Sequence, residues 1–375
     1  MCTIPFLSLV CQVMVPLACS VTLREGSRQA TEPLDRKMLL EIRRRSAESH
    51  NSQVPRPLWR AAVNQFSDRS AAELRAMLGF KRSFNDVRGE GPIGTQQYSL
   101  ASGSDEGFFT HRATEELPSN VNWLPKLPES AQRSPDQGNC GSCWAHAAVG
   151  ALETHLALAY NATIKLSSSQ LVRCMPNPEK CGGTGGCGGA TADLAFNYAR
   201  EVGIVEDSIF LRAVGRVALC KPKAQRTRAF IRDFIKLPAN QGLPLLSAVA
   251  NIGPVAVSVD SSRWFPYQSG IFDDCTKDAT VNHAVLMIGY GEDAVSRAKY
   301  YLIRNSWSDS WGEARCIRVL RHDRDNAYCG TDYDPTQGDG CVGGPASLPV
   351  CGMCGILSAS SYPLGVSLER LSRSA

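Results

Sequence analysis

The stretch Gln137-Gly138-Asn139-Cys140-Gly141-Ser142-Cys143-Trp144-Ala145-His146, with the run that follows it to Tyr160, decides the fold. A Gly-rich turn carrying two cysteines passes directly into an Ala/Leu-rich segment of helical composition. Cys143 therefore falls where a loop becomes a helix N-terminus, whose unsatisfied N–H groups and dipole favour an anion. That setting lowers a thiol's pKa and makes a thiolate nucleophile available near neutral pH. A purely structural cysteine needs none of it.

A thiolate nucleophile needs a base, a group that orients the base, and donors for an oxyanion. His283 stands in Val281-Asn282-His283-Ala284-Val285-Leu286, at the start of an apolar strand, and Asn305-Ser306-Trp307 ends another. Taken singly, His283 reads as a satisfied core histidine and Asn305 as a turn residue. Together with Cys143 they read as a catalytic set. Asn accepts from an imidazole N–H without taking its proton, and the Gln137 amide donates without adding charge.

Outward from this set, the first half is helix-rich, with segments at Leu166–Cys174 and Ala192–Glu201 around a glycine-dense loop, Cys181–Gly189, that has no side chains to pack. The second half is β-rich, with short runs at Gly253–Asp260, Ala284–Gly289, Tyr300–Arg304 and Cys316–Leu320. This is an α+β arrangement of two lobes with a cleft between them. Residues from Thr31 to Phe80 read as helical, with a second helix opened by Asn64-Gln65-Phe66-Ser67-Asp68 and capped by Ser67 or Asp68. Arg43-Arg44-Arg45 reads as a solvated face. Arg88 to Gly107 is a Gly/Ser-rich linker, and Leu117-Pro118 marks a boundary.

The chain has 375 residues, 43% of them hydrophobic and 20% charged, with a formal charge of +4, so its charge predicts neither nucleic-acid nor membrane binding. Fifteen cysteines point to an oxidising compartment. The apolar, uncharged Thr3–Ala18 followed by Cys19-Ser20 reads as a secretory signal peptide over residues 1–20. Asn161-Ala162-Thr163 is a glycosylation sequon at the end of the central helix.

Residues 117–375 resemble a papain-like cysteine peptidase of the cathepsin L type, of which Cys-Gly-Ser-Cys-Trp is a known signature. His283 lies 140 positions beyond Cys143, within the roughly 130–150 of that family. The resemblance implies a papain-like fold with a helical left lobe and a β-rich right lobe. It implies a Cys143–His283 thiolate–imidazolium pair oriented by Asn305, with Trp307 shielding that hydrogen bond. Gln137 and the Cys143 backbone N–H would form the oxyanion hole. Residues 21–116 resemble the family's inhibitory prosegment: Glu32, Arg36 and Asn51 fall in its spaced helical pattern, with Leu40 for a Phe, and Asn64, Phe66 and Asp68 in a second pattern, with Ala62 for a Gly. The substrate-binding positions would be Gly189, Ala190, Thr191, Ala192, Ser258, Val281 and Ala359 beside Trp307, implying an apolar P2 residue such as Leu, Val or Phe. Ala190, Ser308 and Arg315 stand where the family has glycines, and His146 where it has an aromatic residue.

By the same resemblance the disulfides would be Cys140–Cys187, Cys174–Cys220 and Cys275–Cys354. Cys181, Cys316, Cys329, Cys341 and Cys351 remain, an odd number, with Cys316 expected buried and unbridged. A zinc site among Cys329, Cys341, Cys351 and Cys354 is disfavoured by the long first gap and the absence of a nearby His, so residues 329–353 are expected as a disulfide-pinned insertion on the right lobe's rim. The expected protein is a secreted or lysosomal/vacuolar cysteine endopeptidase, made as a zymogen. It would act on protein and peptide substrates as a monomer, with no cofactor or metal and its own prosegment as inhibitor. The absence of a His-His occluding loop favours endo- over exopeptidase action. The alternatives are a catalytically weak or inactive binding or storage protein on the same fold, and a transglutaminase-like acyl transferase.

Overall fold

The computed structural model describes residues 35–79, 117–128, 135–213, 220, 227–338 and 340–369. The signal segment, Glu32 and the Arg88–Gly107 linker lie outside them.

The N-terminal segment opens with α1 (Arg36–Asn51), capped by the Asp35 carboxylate. Arg44 and Arg45 pair with Glu41 on the exposed face of α1. Next come β1 (Trp59–Ala61) and the short α2 (Ala71–Ala76). The cap of α2 is Ser70, not Ser67 or Asp68, in a reciprocal capping box with Glu73. Ser67 instead turns its hydroxyl to the Asn64 N–H at 2.9 Å, and Asp68 pairs with Arg36 at 3.4 Å. The region expected as helix throughout is thus broken by a strand: Asn51 clamps β1 by accepting from the Ala61 N–H (3.0 Å) and donating to its carbonyl (2.8 Å).

The rest of the chain continues with β2 (Val121–Asn122), α3 (Cys143–Tyr160), α4 (Ser168–Cys174), α5 (Ala192–Glu201), β3 (Ile204–Val205), α6 (Asp207–Ala213) and β4 (Arg228–Lys236). There follow α7 (Gly242–Asn251), β5 (Val255–Val259), β6 (Tyr267–Phe272), β7 (His283–Glu292), β8 (Lys299–Arg304), β9 (Cys316–Leu320), a hairpin of β10 (Cys329–Asp332) and β11 (Leu348–Cys351), and β12 (Ser360–Glu369). One sheet runs β1-β6-β9-β8-β7-β5-β12-β4-β3, with β2 beside β7. Among the described strands only β6 and β9 pair in parallel. The N-terminal segment adds β1 to the β6 edge, Trp59 opposite Gly270, so the sheet is completed by a strand more than 200 residues upstream.

Two cores hold this frame. One surrounds α3, which is apolar on nearly every side: Trp144, Ala145, Ala148, Ala151, Leu152 and Leu156 are fully buried against Leu171, Phe196 and Ile288. A helix apolar all round must lie inside. The other gathers Trp264, Phe265, Tyr267, Trp307 and Trp311 of the sheet lobe with Trp59, Phe66, Leu74 and Met77 of the N-terminal segment.

Five disulfides are present among the described residues: Cys140–Cys187, Cys174–Cys220, Cys275–Cys354, Cys181–Cys341 and Cys329–Cys351. Cys316 lies outside them, buried, and burial pushes its thiol up to about 11. All four cysteines from Cys329 to Cys354 are consumed in S–S bonds. The insertion does not merely rim the right lobe, however, because Cys341 ties it to Cys181 in the helical lobe.

Candidate active site

Cys143 is the first residue of α3, and His283 the first of β7, so the two lobes each present one group at the start of a regular element. Both line one cavity with Ala190, Thr191, Ser258 and Ala284. His283 Nε2–H donates to Asn305 Oδ1 at 2.8 Å, which assigns the tautomer and leaves Nδ1 without a hydrogen bond. Burial pushes the imidazole down to about 4, against the Asn305 bond, which favours the charged form. Trp307, fully buried, lies with its ring centre 5.1 Å from that of His283 and stacks on Phe265 at 4.6 Å. Water is thereby kept from one side of the His283–Asn305 pair.

Gln137 is fixed on both ends. Its Oε1 accepts from the Ser306 hydroxyl at 2.5 Å, and its backbone N–H donates to the Ser306 carbonyl at 3.0 Å. Ser306 is a positioning residue that sequence reasoning missed, although its place between Asn305 and Trp307 was the available signal. The amide Nε2 donates to Cys140 O at 2.9 Å and to Met77 O at 2.7 Å. A peptide carbonyl of the N-terminal segment thus sits on the amide expected to hold an oxyanion.

That segment fills the cleft. Two glycines of the cleft wall admit its backbone: a Cβ on Gly141 would fall 2.6 Å from Gly79 Cα, and one on Gly189 only 1.5 Å from Gly79 O. No other residue type allows so close an approach. Upstream, Phe66 lies edge-on to Phe265 and Trp307, with ring centres 5.4 and 5.3 Å apart, and Asn64 Nδ2 donates to Phe265 O at 2.6 Å.

Of the expected subsite residues, Gly189 meets the N-terminal segment, while Ala190, Thr191 and Ser258 line the cavity. The Thr191 hydroxyl is committed to capping α5 through the Leu194 N–H. Ala192 and Ala359 are half-buried and do not line it, and Val281 is buried beneath Gly338. Asn161, exposed in the left-handed C-cap of α3, leaves its side chain open to solvent. His146 lies partly buried in the first turn of α3.

A profile of the papain family cysteine proteases matches residues 117–338. The chain is 29% identical to mouse cathepsin S over 327 residues, covering 84% of this chain and 93% of that protein. It is 31% identical to mouse cathepsin K over 301 residues, 76% and 87% of the two. Among solved structures, digestive procathepsin L 3 from Tenebrio molitor larval midgut superposes with a TM-score of 0.63 at 26% identity, over 88% of this chain and 91% of that one. The proform of the ragweed pollen allergen Amb a 11, a cysteine protease, gives 0.64 at 26%, over 90% and 88%. The chain belongs to the papain family of cysteine proteases. It is a cysteine peptidase whose structural relatives include proforms.

Proposed function

We propose that the protein is a cysteine endopeptidase of the secretory pathway, lysosomal, vacuolar or extracellular, made as a zymogen and favouring an apolar P2 residue. The observation that carries the reading is the convergence of Cys143, an Asn305-bound His283 and the Gln137 amide on a cleft held shut by residues 77–79. In the proform the Met77 carbonyl takes the oxyanion donor and Gly79 lies against Cys143, where a Cβ would be 3.4 Å from Sγ. Release of the prosegment hydrates His283 and raises its proton affinity, so it can take the thiol proton. The thiolate attacks the scissile carbonyl, and the Gln137 Nε2–H and Cys143 N–H hold the oxyanion. The imidazolium then protonates the leaving amine, and water hydrolyses the acyl-enzyme. Maturation near Leu117, residues 1–20 as signal, 21–116 as prosegment and 117–375 as peptidase, a sugar on Asn161 and a monomeric enzyme complete the reading.

The binding-protein alternative rests on the replaced glycines, but Ser308 and Arg315 are absent from the cavity lining, and Ala190, which is in it, does not have a positive φ. The test is acid incubation of the recombinant proform, followed with a fluorogenic peptide beside a Cys143→Ala control. Acid-triggered processing with activity lost in the control is expected. A folded, processed protein with no turnover and no alkylation of Cys143 refutes the reading.

A further inference from the structure

The insertion that follows Cys329 does more than decorate one lobe. Its base is fixed on the sheet lobe: β10 pairs with β11 from Cys329 opposite Cys351 to Asp332 opposite Leu348, and Cys329 bonds Cys351. The buried Asp332 carboxylate accepts the Val281 N–H at 3.0 Å, two residues before His283. Its far end is fixed on the helical lobe. Cys341 bonds Cys181, the Gly182 N–H donates to Gly340 O at 2.9 Å, and the Val342 N–H donates to Glu179 O at 3.1 Å. In between, Gln337 and Gly338 face the cavity that holds Cys143 and His283. Gly338 lies directly over Val281, since a Cβ on it would be 2.2 Å from Val281 O, and its carbonyl closes on Gly182 of the opposite wall.

We propose that Gln337 and Gly338 form a covalently fastened ceiling over the P2 pocket, which restricts P2 to small apolar side chains such as Ala or Val and disfavours Leu and Phe. This deepens the peptidase reading above and rests on it. The walls alone would give a roomy pocket, because Ala190, Thr191, Ser258 and Ala284 are all small. The ceiling takes that room: Val281 is packed with Ala279 and with Val350 of the hairpin, and the Gly338 backbone spans the walls from Val281 to Gly182. Prosegment removal vacates the place of Gly79 but leaves the ceiling, which is held from both lobes. A P2 Phe cannot displace it by a loop rotation, because the Cys181–Cys341 bond closes the far side. One methylene gained or lost in an apolar pocket changes kcat/KM by about 10–200-fold, so a ceiling at this height should be visible in a substrate series.

The experiment measures kcat/KM of the activated enzyme on blocked X-Arg aminomethylcoumarin substrates with X as Ala, Val, Leu or Phe. Mass spectrometry verifies that Cys181–Cys341 stays oxidised under the thiol that keeps Cys143 reduced. Ala and Val are expected to exceed Leu and Phe at least tenfold. The Phe-to-Ala ratio should rise about tenfold in Cys181→Ser/Cys341→Ser. It should rise at least threefold in Gln337→Ala, which keeps the disulfide and carries the test if the double variant does not fold. Leu or Phe as the best residue, or a ratio unchanged in Gln337→Ala, overturns the ceiling while leaving the peptidase reading intact. No hydrolysis of any member, with Cys143 unlabelled, overturns both.

Discussion

Phe66 is one of the buried anchors that hold the N-terminal segment on the cleft, and removing that ring should loosen the segment without removing a residue of the candidate catalytic set. Phe66 is 4% exposed, edge-on to Phe265 and Trp307, with the Arg69 guanidinium 5.1 Å from its centre. Released prosegment would return this ring to water, so the docked state alone benefits from its burial. Truncating a buried Phe to Ala costs about 3–5 kcal/mol. The low end applies, since a surface-docked segment can settle into the gap. At about 1.4 kcal/mol per tenfold, the open fraction should rise about 100-fold. If alkylation of Cys143 in the uncleaved proform occurs only in open molecules, its rate at neutral pH should rise by that factor in Phe66→Ala. Mass spectrometry of the Cys143 peptide gives the rate directly. Val63→Ala, at a position 44% exposed, is the control and should change it less than twofold. Labelling of Phe66→Ala within threefold of wild type would refute the argument that this ring latches the segment.

Gln137→Ala should lower kcat of the activated enzyme by about 10²–10³-fold, or about 2.7–4 kcal/mol, with a small change in KM; a kcat within tenfold of wild type would remove Gln137 from the oxyanion hole. For His283, burial sets the folded pKa near 4, below the ordinary value of about 6.5. The unfolded chain therefore binds the extra proton first, and folding stability from this group, present above about pH 6.5, is lost as pH falls toward 4. Urea denaturation of the Cys143→Ala proform should show a loss across that window of which up to about 3 kcal/mol is the share of His283, so the loss should be smaller by that share in the additional His283→Gln variant. Equal losses in both would place the effect elsewhere, as on His146 and His155, which burial also pushes down. Ser308→Gly should raise Tm by about 2 °C, as relief of backbone strain of about 1 kcal/mol exceeds the loss of its exposed hydroxyl bonds; a fall in Tm would show that the hydroxyl matters more.

The candidate set was legible as residue types at long, ordered intervals: a cysteine opening a helix, a histidine opening a strand, an asparagine following one, which the fold brings to one cleft. Helix α5 and strand β9 were legible to the residue, since each carries its own period and its own boundary residues. Strands β4 and β12, which pair along nearly their whole length, were not. Each is half-exposed, and each is defined by the other across more than 120 residues, a partnership no local window contains. The prosegment strand β1 was hidden for the same reason, lying three residues long inside a helical composition. Disulfide partners are likewise invisible to periodicity. Cys181 and Cys341 lie 160 positions apart, and only the folded chain brings the insertion back across the cleft.

The replaced glycines divide on backbone grounds. Ala190 is not among the residues with positive φ, so a Cβ there carries no conformational penalty, and this wall of the cavity keeps its backbone path. Ser308 and Arg315 do sit at φ 71° and 80°, a region that L-residues other than glycine enter only at a cost of about 1 kcal/mol or more. Neither lines the cavity. Their strain is held in the loop behind Trp307, where the Asn305 N–H donates to Arg315 O at 3.1 Å, the Arg315 guanidinium meets Asp309 at 3.2 Å and the Ser308 N–H reaches Pro135 O at 3.3 Å. Such conformations persist when surrounding bonds over-determine them. Here those bonds also fix Asn305, the partner of His283. The strain therefore falls on the stability of the sheet lobe while the His283–Asn305 hydrogen bond stays in place, so non-glycine residues at these positions do not disturb the candidate site.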